Sequence, residues 1–188
     1  MTLTSMDENH INRVLSFWFE EITPENWFTK STDFDKRLET QFEALVLQAL
    51  NGQLDRWAGG SDGCLALILL LDQMTRNIYR DTPKAFAGDE IACALSLRAA
   101  ADKKIEAESH EAKRQFFLMP MMHSEDLAIQ DASLPLFKAH TSERTYDYAV
   151  RHRDIVARFG RFPHRNAILG RPSSDAEIAF LKEPNSSF

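Results

Sequence analysis

The chain has 188 residues, of which 44% are hydrophobic and 27% charged, with a formal net charge of −6 and a pI near 5.5. This length and composition predict one domain over residues 1–183, followed by a disordered tail at 184–188. The acidic charge excludes nonspecific nucleic-acid binding as the main activity. The longest apolar run, residues 64–71, is far shorter than the roughly 20 residues that cross a bilayer, so no membrane partner is expected.

The N-terminal residues and the cysteines indicate the cellular compartment. The sequence begins without a basic segment followed by an apolar stretch, so we expect no signal peptide. Cys64 and Cys93 both lie in apolar helical context and have no metal-ligand spacing. We therefore expect a reduced, cytoplasmic protein without a cofactor. The sequence does not predict an oligomeric state.

Helical periodicity begins near the N-terminus. Asp7 is predicted to cap the first helix, and Thr23 to cap a second helix that has proline at its first position. The clearest pattern begins at Asp33, repeats for more than four turns and stops at Asn51, which a glycine follows. These signals predict helices over most of the first 51 residues.

The middle of the chain predicts two helices that differ in character. Residues 62–80 form the first, whose initial half is apolar all round and should be central in the core. Residues 89–103 form the second, which is rich in alanine. We expect its larger apolar side chains, Ile91, Leu95 and Leu97, to face inward.

Further helices are predicted toward the C-terminus. Pro120 cannot lie inside a helix without the loss of a hydrogen bond, so it should begin a new helix that carries residues 123–125. Residues 142–159 form the next helix. A last helix begins at Ser174, which has the capping-box spacing with Glu177.

The succession of helices with short connections predicts the fold class. Strand signals are nearly absent, and no glycine-rich linker divides the chain. We predict an all-α domain of stacked antiparallel helix pairs. No repeat of fixed period is present in the sequence, so a regular repeat array does not follow from the pattern.

A basic loop near the C-terminus is the first candidate site. Seven of the fourteen arginines lie in residues 144–171, against two acids, in a chain that is acidic overall. Arg161, His164, Arg165 and Arg171 follow the helix and have no acid nearby in sequence. They could converge on an anionic ligand. Alternatively, they pair with carboxylates or helix C-termini elsewhere in the fold.

A second group of polar residues lies on the helix whose first half is apolar. It consists of Asp72, Gln73, Arg76, Asn77 and Arg80. Asp72 and Arg76 have the spacing of a favourable helical ion pair. Because buried polar groups need partners, these side chains either brace the basic loop or line a pocket with it.

His123, Ser124 and Glu125 supply a base, a hydroxyl and a carboxylate in three successive positions. Adjacent residues of a helix point in different directions, so they cannot all serve one reacting atom. His123, Glu125 and His164 are suitable metal donors, but no H-x-x-x-H or H-E-x-x-H spacing is present, and no metal site is predicted. His152 lies on an apolar helix face and is interpreted as a core residue.

Five segments together resemble a known family: FWFEE, WFTKSTDFD, LDQMTRNIYR, FFLMPMMHSED and RFGRFPHRNAILGR. They resemble the uncharacterised bacterial family named domain of unknown function 924, over about residues 14–177. The resemblance implies an all-α, tetratricopeptide-like superhelix with paired helices around a concave surface, and it implies no established activity. The motif positions that it transfers to this chain are Asp72, Gln73, Arg76, Asn77, Arg80, His123, Ser124, Glu125, Arg161, His164, Arg165, Asn166 and Arg171.

Three functions remain open from the sequence. In the first, the motifs form a basic polar pocket for an anionic small molecule or acidic peptide, clamped by arginines and oriented by Asn77, Asn166 and His164. In the second, the protein is a hydrolase or lyase for an anionic substrate. His123 or His164 would then be the acid or base, and Glu125 would orient it. In the third, the motifs only brace a scaffold that binds a protein through an apolar surface.

Overall fold

Side-chain caps begin the first three helices. In a computed structural model of the chain, which describes residues 2–184 and 186–187, helix α1 (Ser5–Ser16) follows Thr4. The Thr4 hydroxyl accepts a hydrogen bond from the backbone N–H of Asp7, and the Asp7 carboxylate accepts one from Thr4 N–H. Asp7 is therefore the third residue of a capping box rather than the predicted cap. Helices α2 (Pro24–Phe28) and α3 (Thr32–Leu50) begin and end close to the predicted positions.

The rest of the chain continues the all-α architecture, which confirms the predicted fold class, and residues 2–184 and 186–187 contain no strand. Helix α1 continues into a π-helical turn, Phe17–Glu21, and a second π turn, Leu69–Met74, joins α4 to α5. Short 3₁₀ segments span Asp55–Gly59, Pro83–Phe86 and Pro163–Arg165. The remaining helices are α4 (Ser61–Ile68), α5 (Thr75–Ile78), α6 (Asp89–Ala101), α7 (Lys104–Ala107), α8 (Glu111–Met122), α9 (Leu127–His140), α10 (Glu143–Phe159) and α11 (Asp175–Phe180).

The apolar run at residues 64–71 lies at the centre of the core, as predicted. Each of its side chains is at most 2% exposed. Helix α1 packs against α4, and α3 packs against the second π turn and α5. Helices α6 and α8 also pack against α4. Consecutive helices α8, α9 and α10 pack against one another. Burial of this run on all sides explains why its sequence shows no polar face.

Helix α6 leaves exposed two of the large apolar side chains that were predicted to face inward. Ile91 and Leu97 are each 38% exposed, and the side of the helix that faces the core presents Ala92, Ser96 and Ala99. These small residues let the backbone of α6 approach its neighbours, because large side chains at the contact would hold the helices apart. The inward orientation predicted for Ile91 and Leu97 is therefore wrong.

Gly88 lies where the start of α6 closely approaches the backbone of the second π turn. A Cβ atom at this position would lie 2.2 Å from the backbone carbonyl oxygen of Leu71. Such a distance is far inside van der Waals contact, so only glycine fits here without a backbone shift. This contact positions the start of α6 beside the second π turn.

Pro120 lies inside helix α8 rather than at the start of a new helix. The helix ends two residues later at Met122, where His123 is the C-cap and donates its backbone N–H to Met119 O at 3.0 Å. Because so little helix follows the proline, its missing N–H interrupts only the final turn. Residues 123–126 consequently form the loop between α8 and α9, and the helical position predicted for residues 123–125 is wrong.

The C-terminal helices follow their predicted caps. Ser142 caps α10, which ends at Gly160 with a φ of +70°, and Ser174 and Glu177 form the predicted capping box of α11. In the predicted tail, the Ser186 hydroxyl donates a hydrogen bond to Leu181 O at 3.1 Å. Asn185 and Phe188, which belong to the same predicted tail, lie outside the described residues, and its disorder stays a prediction.

Candidate functional site

Two of the polar motifs meet at Asp72, which is fully buried, and the basic loop joins them through Asp89 and His123. His123 contacts it, with Nδ1 2.7 Å from Asp72 Oδ1, and Arg76 Nη1 lies 3.2 Å from the same oxygen. Gln73 donates a hydrogen bond to the second carboxylate oxygen. Burial alone would raise the pKa of Asp72, but the charges of Arg76 and His123 and these hydrogen bonds outweigh it and lower that pKa.

The second π turn and α5 position the polar group of residues 72–80. Gln73 and Asn77 are buried, and the Asn77 side chain donates to Gln73 O at 2.9 Å. Arg80 donates two hydrogen bonds, of 2.7 and 2.8 Å, to Asp35 on α3, and a third to Asn77 Oδ1. Asn77 and Arg80 thus brace α5 against α3. Asp72 and Arg76 face the other two motifs.

Asp89, the first residue of α6, joins Arg76 on α5 to Arg165 in the basic loop. It accepts hydrogen bonds of 2.9 and 3.1 Å from Arg76 and one of 3.1 Å from Arg165 Nη1. Arg165 also donates to the backbone oxygen of His123 at 3.0 Å. Two guanidinium groups therefore share one carboxylate beside His123.

The Arg165 guanidinium is buried between two aromatic rings. Its central carbon lies 4.8 Å from the centroid of Phe86 and 4.7 Å from that of Phe162, and Arg165 is 6% exposed. Its Nε atom is buried and has no hydrogen-bond partner in the described part of the chain. Burial and the charge of Arg76 lower the pKa of Arg165 to about 10. Its positive charge is therefore incompletely compensated.

Glu125 belongs to a neighbouring network and does not contact His123. Its carboxylate accepts hydrogen bonds of 2.6 and 2.9 Å from Arg171 and one of 2.8 Å from the backbone N–H of Phe162. Burial would raise the pKa of Glu125, but the hydrogen bonds from Arg171 and Phe162 lower it. Glu125 was predicted to orient a histidine, whereas the carboxylate that contacts His123 is that of Asp72.

The network continues from Arg171 to the last helix. Arg171 donates to Asn166 Oδ1 at 3.0 Å, and the Asn166 amide donates to Ser173 and Glu177. Arg161 donates two hydrogen bonds, of 2.7 and 2.9 Å, to Glu177, the capping-box residue of α11. Arg161, Asn166 and Arg171 therefore hold the basic loop and α11 together.

His152 and His164 lie beside Phe162. A third histidine, His123, belongs to the Asp72 network, which consists of Asp72, Arg76, Asp89, His123 and Arg165. The ring centroids of His152 and His164 lie 5.6 and 5.7 Å from that of Phe162, and the His123 and His152 centroids are 6.2 Å apart. Burial lowers the pKa of His152 to about 3 and that of His164 to about 4, and it also lowers the pKa of His123. We therefore expect neutral imidazoles at pH 7.

Ser124 has a local role. Its hydroxyl accepts a hydrogen bond of 3.2 Å from the backbone N–H of Asp126, the residue that caps α9. Within the described residues, no three side chains of His, Cys, Asp or Glu converge in the manner of metal ligands. None of the described helices combines the length and apolar character needed to cross a membrane.

The Asp72 network and the neighbouring network of Glu125 and Glu177 together contain equal numbers of arginines and of carboxylates bonded to them. The four basic partners were among the predicted site residues, whereas two of the acidic partners, Asp89 and Glu177, were not. Glu177 carries a capping-box signal, while Asp89 begins a helix and carries no signal of a distant partner. The four arginines are Arg76, Arg161, Arg165 and Arg171, and the four carboxylates bonded to them belong to Asp72, Asp89, Glu125 and Glu177.

A shallow cleft of about 590 Å³ borders this network on the side of α11. Arg158, Arg161 and Glu177 are among the residues that line it. His123 and Asp72 are not, so this cleft does not lie over the buried carboxylate. The exposed edge of the Asp72 network is formed instead by Arg76, Asp89 and His123, whose side chains are 21%, 19% and 13% exposed.

Comparisons with known proteins identify relatives of the chain without assigning an activity. A family model described as "Bacterial protein of unknown function (DUF924)" matches residues 14–185. A solved structure of the protein of unknown function ATU0120 from Agrobacterium tumefaciens is 36% identical, with a TM-score of 0.88. The match covers 94% of this chain and 99% of that one. No curated protein matches.

Proposed function

Because the chain belongs to the family of bacterial proteins of unknown function (DUF924), whose description names no activity, we propose a function from the geometry. The protein binds a small anionic molecule at the exposed edge of the Asp72 network, beside Arg76, His123 and Arg165. The observation that carries this proposal is the pairing of two guanidinium groups, those of Arg76 and Arg165, with the single carboxylate of Asp89.

This pair of arginines differs from the others in the network. Arg161 and Arg171 each donate two hydrogen bonds to a carboxylate that no second arginine contacts. Arg165 instead shares Asp89, keeps an unpartnered Nε and has a lowered pKa. A ligand carboxylate or phosphate at the exposed edge would accept charge-assisted hydrogen bonds from these guanidinium groups. Asp72 and Asp89 already balance the two arginine charges, so the proposal rests on the sharing of Asp89 and on the incomplete hydrogen bonding of Arg165.

Solvent access supports the same edge. The Arg76 side chain is 21% exposed, so an anion can reach its guanidinium group without crossing the core. The ring of Phe86 lies against both guanidinium groups, at 5.6 Å from Arg76 and 4.8 Å from Arg165. It can cover the apolar part of a small ligand while the arginines bind its acidic group.

The balanced charges of the wider network favour one alternative, in which the motifs brace the fold and the protein is an interaction scaffold. Binding to a partner would then use a separate surface. The exposed side chains Ile91 and Leu97 on α6 are the first place to test for it. Their replacement by serine would remove the interaction, and changes in the Asp72 network would not.

The anion proposal is tested by calorimetry at low ionic strength, where charge contacts are least screened. Inorganic phosphate, succinate, citrate and a short acidic peptide are titrated into the wild-type protein and into Arg76→Lys. The lysine variant keeps the charge but loses the planar fork, so we expect its Kd to rise roughly tenfold or more. Arg151→Lys, an exposed position on α10, is the matched control.

Thermal unfolding of the same variants separates binding from bracing. Wild-type protein that binds none of the four anions contradicts the proposal. Equal affinity in wild type and Arg76→Lys contradicts the assignment of the site. If Arg76→Lys loses stability but leaves a measured affinity unchanged, Arg76 braces the fold and the anion binds elsewhere.

A further inference from the structure

His123 is held at three points by groups from three parts of the fold. Its backbone N–H bonds to Met119 O in α8, its backbone oxygen accepts from Arg165, and its ring contacts Asp72 through Nδ1 at 2.7 Å. The Asp72 side chain has no exposed surface, and the His123 side chain is 13% exposed. The imidazole therefore contacts a buried carboxylate while its side chain remains partly exposed.

This arrangement determines which ring nitrogen carries the proton. A carboxylate accepts a hydrogen bond, so Nδ1 must be the protonated nitrogen that donates to Asp72. In the neutral ring the lone pair is then on Nε2. Nε2 has no hydrogen-bond partner among the described residues and is not among their fully buried polar atoms. Nε2 is thus not fully buried, and the His123 side chain is partly exposed at the edge where Arg76 and Asp89 are also exposed.

We infer that His123 is the general base of a hydrolytic site, positioned by Asp72, whose substrates are esters of small anionic acids. The inference rests on the proposed function, because the anion held beside Arg76 and Arg165 would bring its ester group to Nε2. It goes beyond binding, since it assigns a reaction to the site. A histidine oriented by a buried carboxylate is an arrangement that hydrolytic enzymes on unrelated folds share.

The reaction uses water, which solvent supplies at the exposed edge. His123 Nε2 removes a proton from a water molecule while the water oxygen forms a bond to the acyl carbon of the ester. The bond between that carbon and the alcohol oxygen then breaks, and the imidazolium returns its proton to the leaving oxygen. The products are a carboxylic acid and an alcohol. Asp72 stays ionised and stabilises the transient imidazolium.

The charged groups around His123 favour a neutral base at pH 7. Asp72 faces it from the second π turn, Arg76 from α5 and Arg165 from the basic loop. His152 on α10 and His164 lie nearby. Burial lowers the pKa of His123 from its ordinary 6.5, and Arg76 and Arg165 lower it further, although Asp72 opposes them. The hydrolysis rate should consequently decline only at a lower pH than it would with a base of the ordinary histidine pKa of 6.5.

The first test measures hydrolysis of two chromogenic esters. These are 4-nitrophenyl hydrogen succinate, which is anionic, and 4-nitrophenyl acetate, which is neutral. We expect the wild type to prefer the anionic ester and His123→Gln to lose at least roughly 100-fold in kcat. Asp72→Asn should lower kcat with a much smaller change in KM, because Asp72 does not touch the substrate. His110→Gln, an exposed position at the start of α8, should match the wild type.

The outcomes separate this inference from the proposed function. Wild-type protein without hydrolysis above the buffer rate, or His123→Gln with the full rate, overturns the general base. Equal rates on the two esters together with no anion binding overturn the proposed function and the anionic substrate class, and His123 remains the base only if His123→Gln loses the rate. Succinate binding without hydrolysis retains the binding site and rejects the reaction.

A second test needs no substrate and no variant that could fail to fold. Nitrogen chemical shifts of 15N-labelled histidine report which ring nitrogen carries the proton. For His123 at pH 7 we expect a protonated Nδ1 and an unprotonated Nε2. A protonated Nε2 at this pH contradicts the inference, since that atom could then accept no proton from water.

Discussion

The carboxylate of Glu125 and the guanidinium of Arg171 are joined by two hydrogen bonds, of 2.6 and 2.9 Å, across a separation of 46 residues. The two side chains are 27% and 24% exposed, so solvent screens the pair only in part. Glu125 also accepts the backbone N–H of Phe162, which lies next to Pro163 in the basic loop. This one carboxylate therefore holds the loop between α8 and α9 against the C-terminal segment.

Removal of either charge should destabilise the protein. Glu125→Gln leaves Arg171 without its anion, and we expect the free energy of unfolding to fall by about 1–3 kcal/mol. A double-mutant cycle with Arg171→Gln in urea denaturation should give a coupling energy of about 1–2 kcal/mol. The control cycle uses Asp131 and Arg153, whose 2.7 Å contact is more exposed and should couple much less. Equal coupling in the two cycles would show that burial does not strengthen the Glu125 pair.

Replacement of Gly88 should be costly, because a Cβ there meets the backbone and not a side chain that can move. The contact would be 2.2 Å from Leu71 O, so Gly88→Ala must shift α6 or the second π turn. We expect a loss of about 1–3 kcal/mol, measured by urea denaturation. Gly59→Ala is the control, since no atom lies within 4 Å of its added Cβ. A Gly88→Ala protein as stable as Gly59→Ala would contradict the close approach of α6.

Stability should fall as the pH is lowered below about 6.5. The folded protein holds His152 and His164 with pKa values of about 3 and about 4, whereas the unfolded chain has histidines near 6.5. Between these values the unfolded state binds more protons, so acid favours unfolding by up to about 1.4 kcal/mol per pH unit for each histidine. Glu125, whose ordinary pKa is 4.5, adds to the loss only near or below that pH.

The pH effect is measured by urea denaturation at pH 7.5, 6.5, 5.5 and 4.5. His152→Gln removes one of the titrating groups, so its stability should depend less steeply on pH than that of the wild type. The exposed His110 serves as the control, because His110→Gln replaces a histidine without altering a buried one. A free energy of unfolding that is constant from pH 7.5 to 5.5 would contradict the burial of these histidines.

The parts of the fold that the sequence predicts well are those decided by local interactions. Ser174 and Glu177 form their capping box because both partners lie within one turn, and the apolar run at 64–71 requires burial wherever it is placed. Ile91 and Leu97 were predicted wrongly, because the contact surface of α6 is decided by how closely its neighbours approach. Periodicity alone cannot distinguish a face of small residues from a face of large ones when both are apolar.

The candidate site was predicted in composition but not in pairing. Asp72, Arg76, His123 and Arg165 do meet, yet the sequence offered no reason to join Arg165 to Asp89 across 76 residues. Glu125 was assigned to His123 because the two are close in sequence. In the loop that they share, their side chains reach different networks, so proximity along the chain was a poor guide to contact.

The π turn at Leu69–Met74 determines the rotational phase of everything that follows it on the same helix. A π turn accommodates one residue more than an α-helical turn, so the same residues wound as a regular α-helix would rotate α5 by about 100°. Arg76 would then leave Asp89, and Arg80 would leave Asp35, with no side chain replaced. The π geometry of this segment therefore specifies two ion pairs. A relative with one residue fewer here would present the same face of α5 if its segment were a regular α-helix.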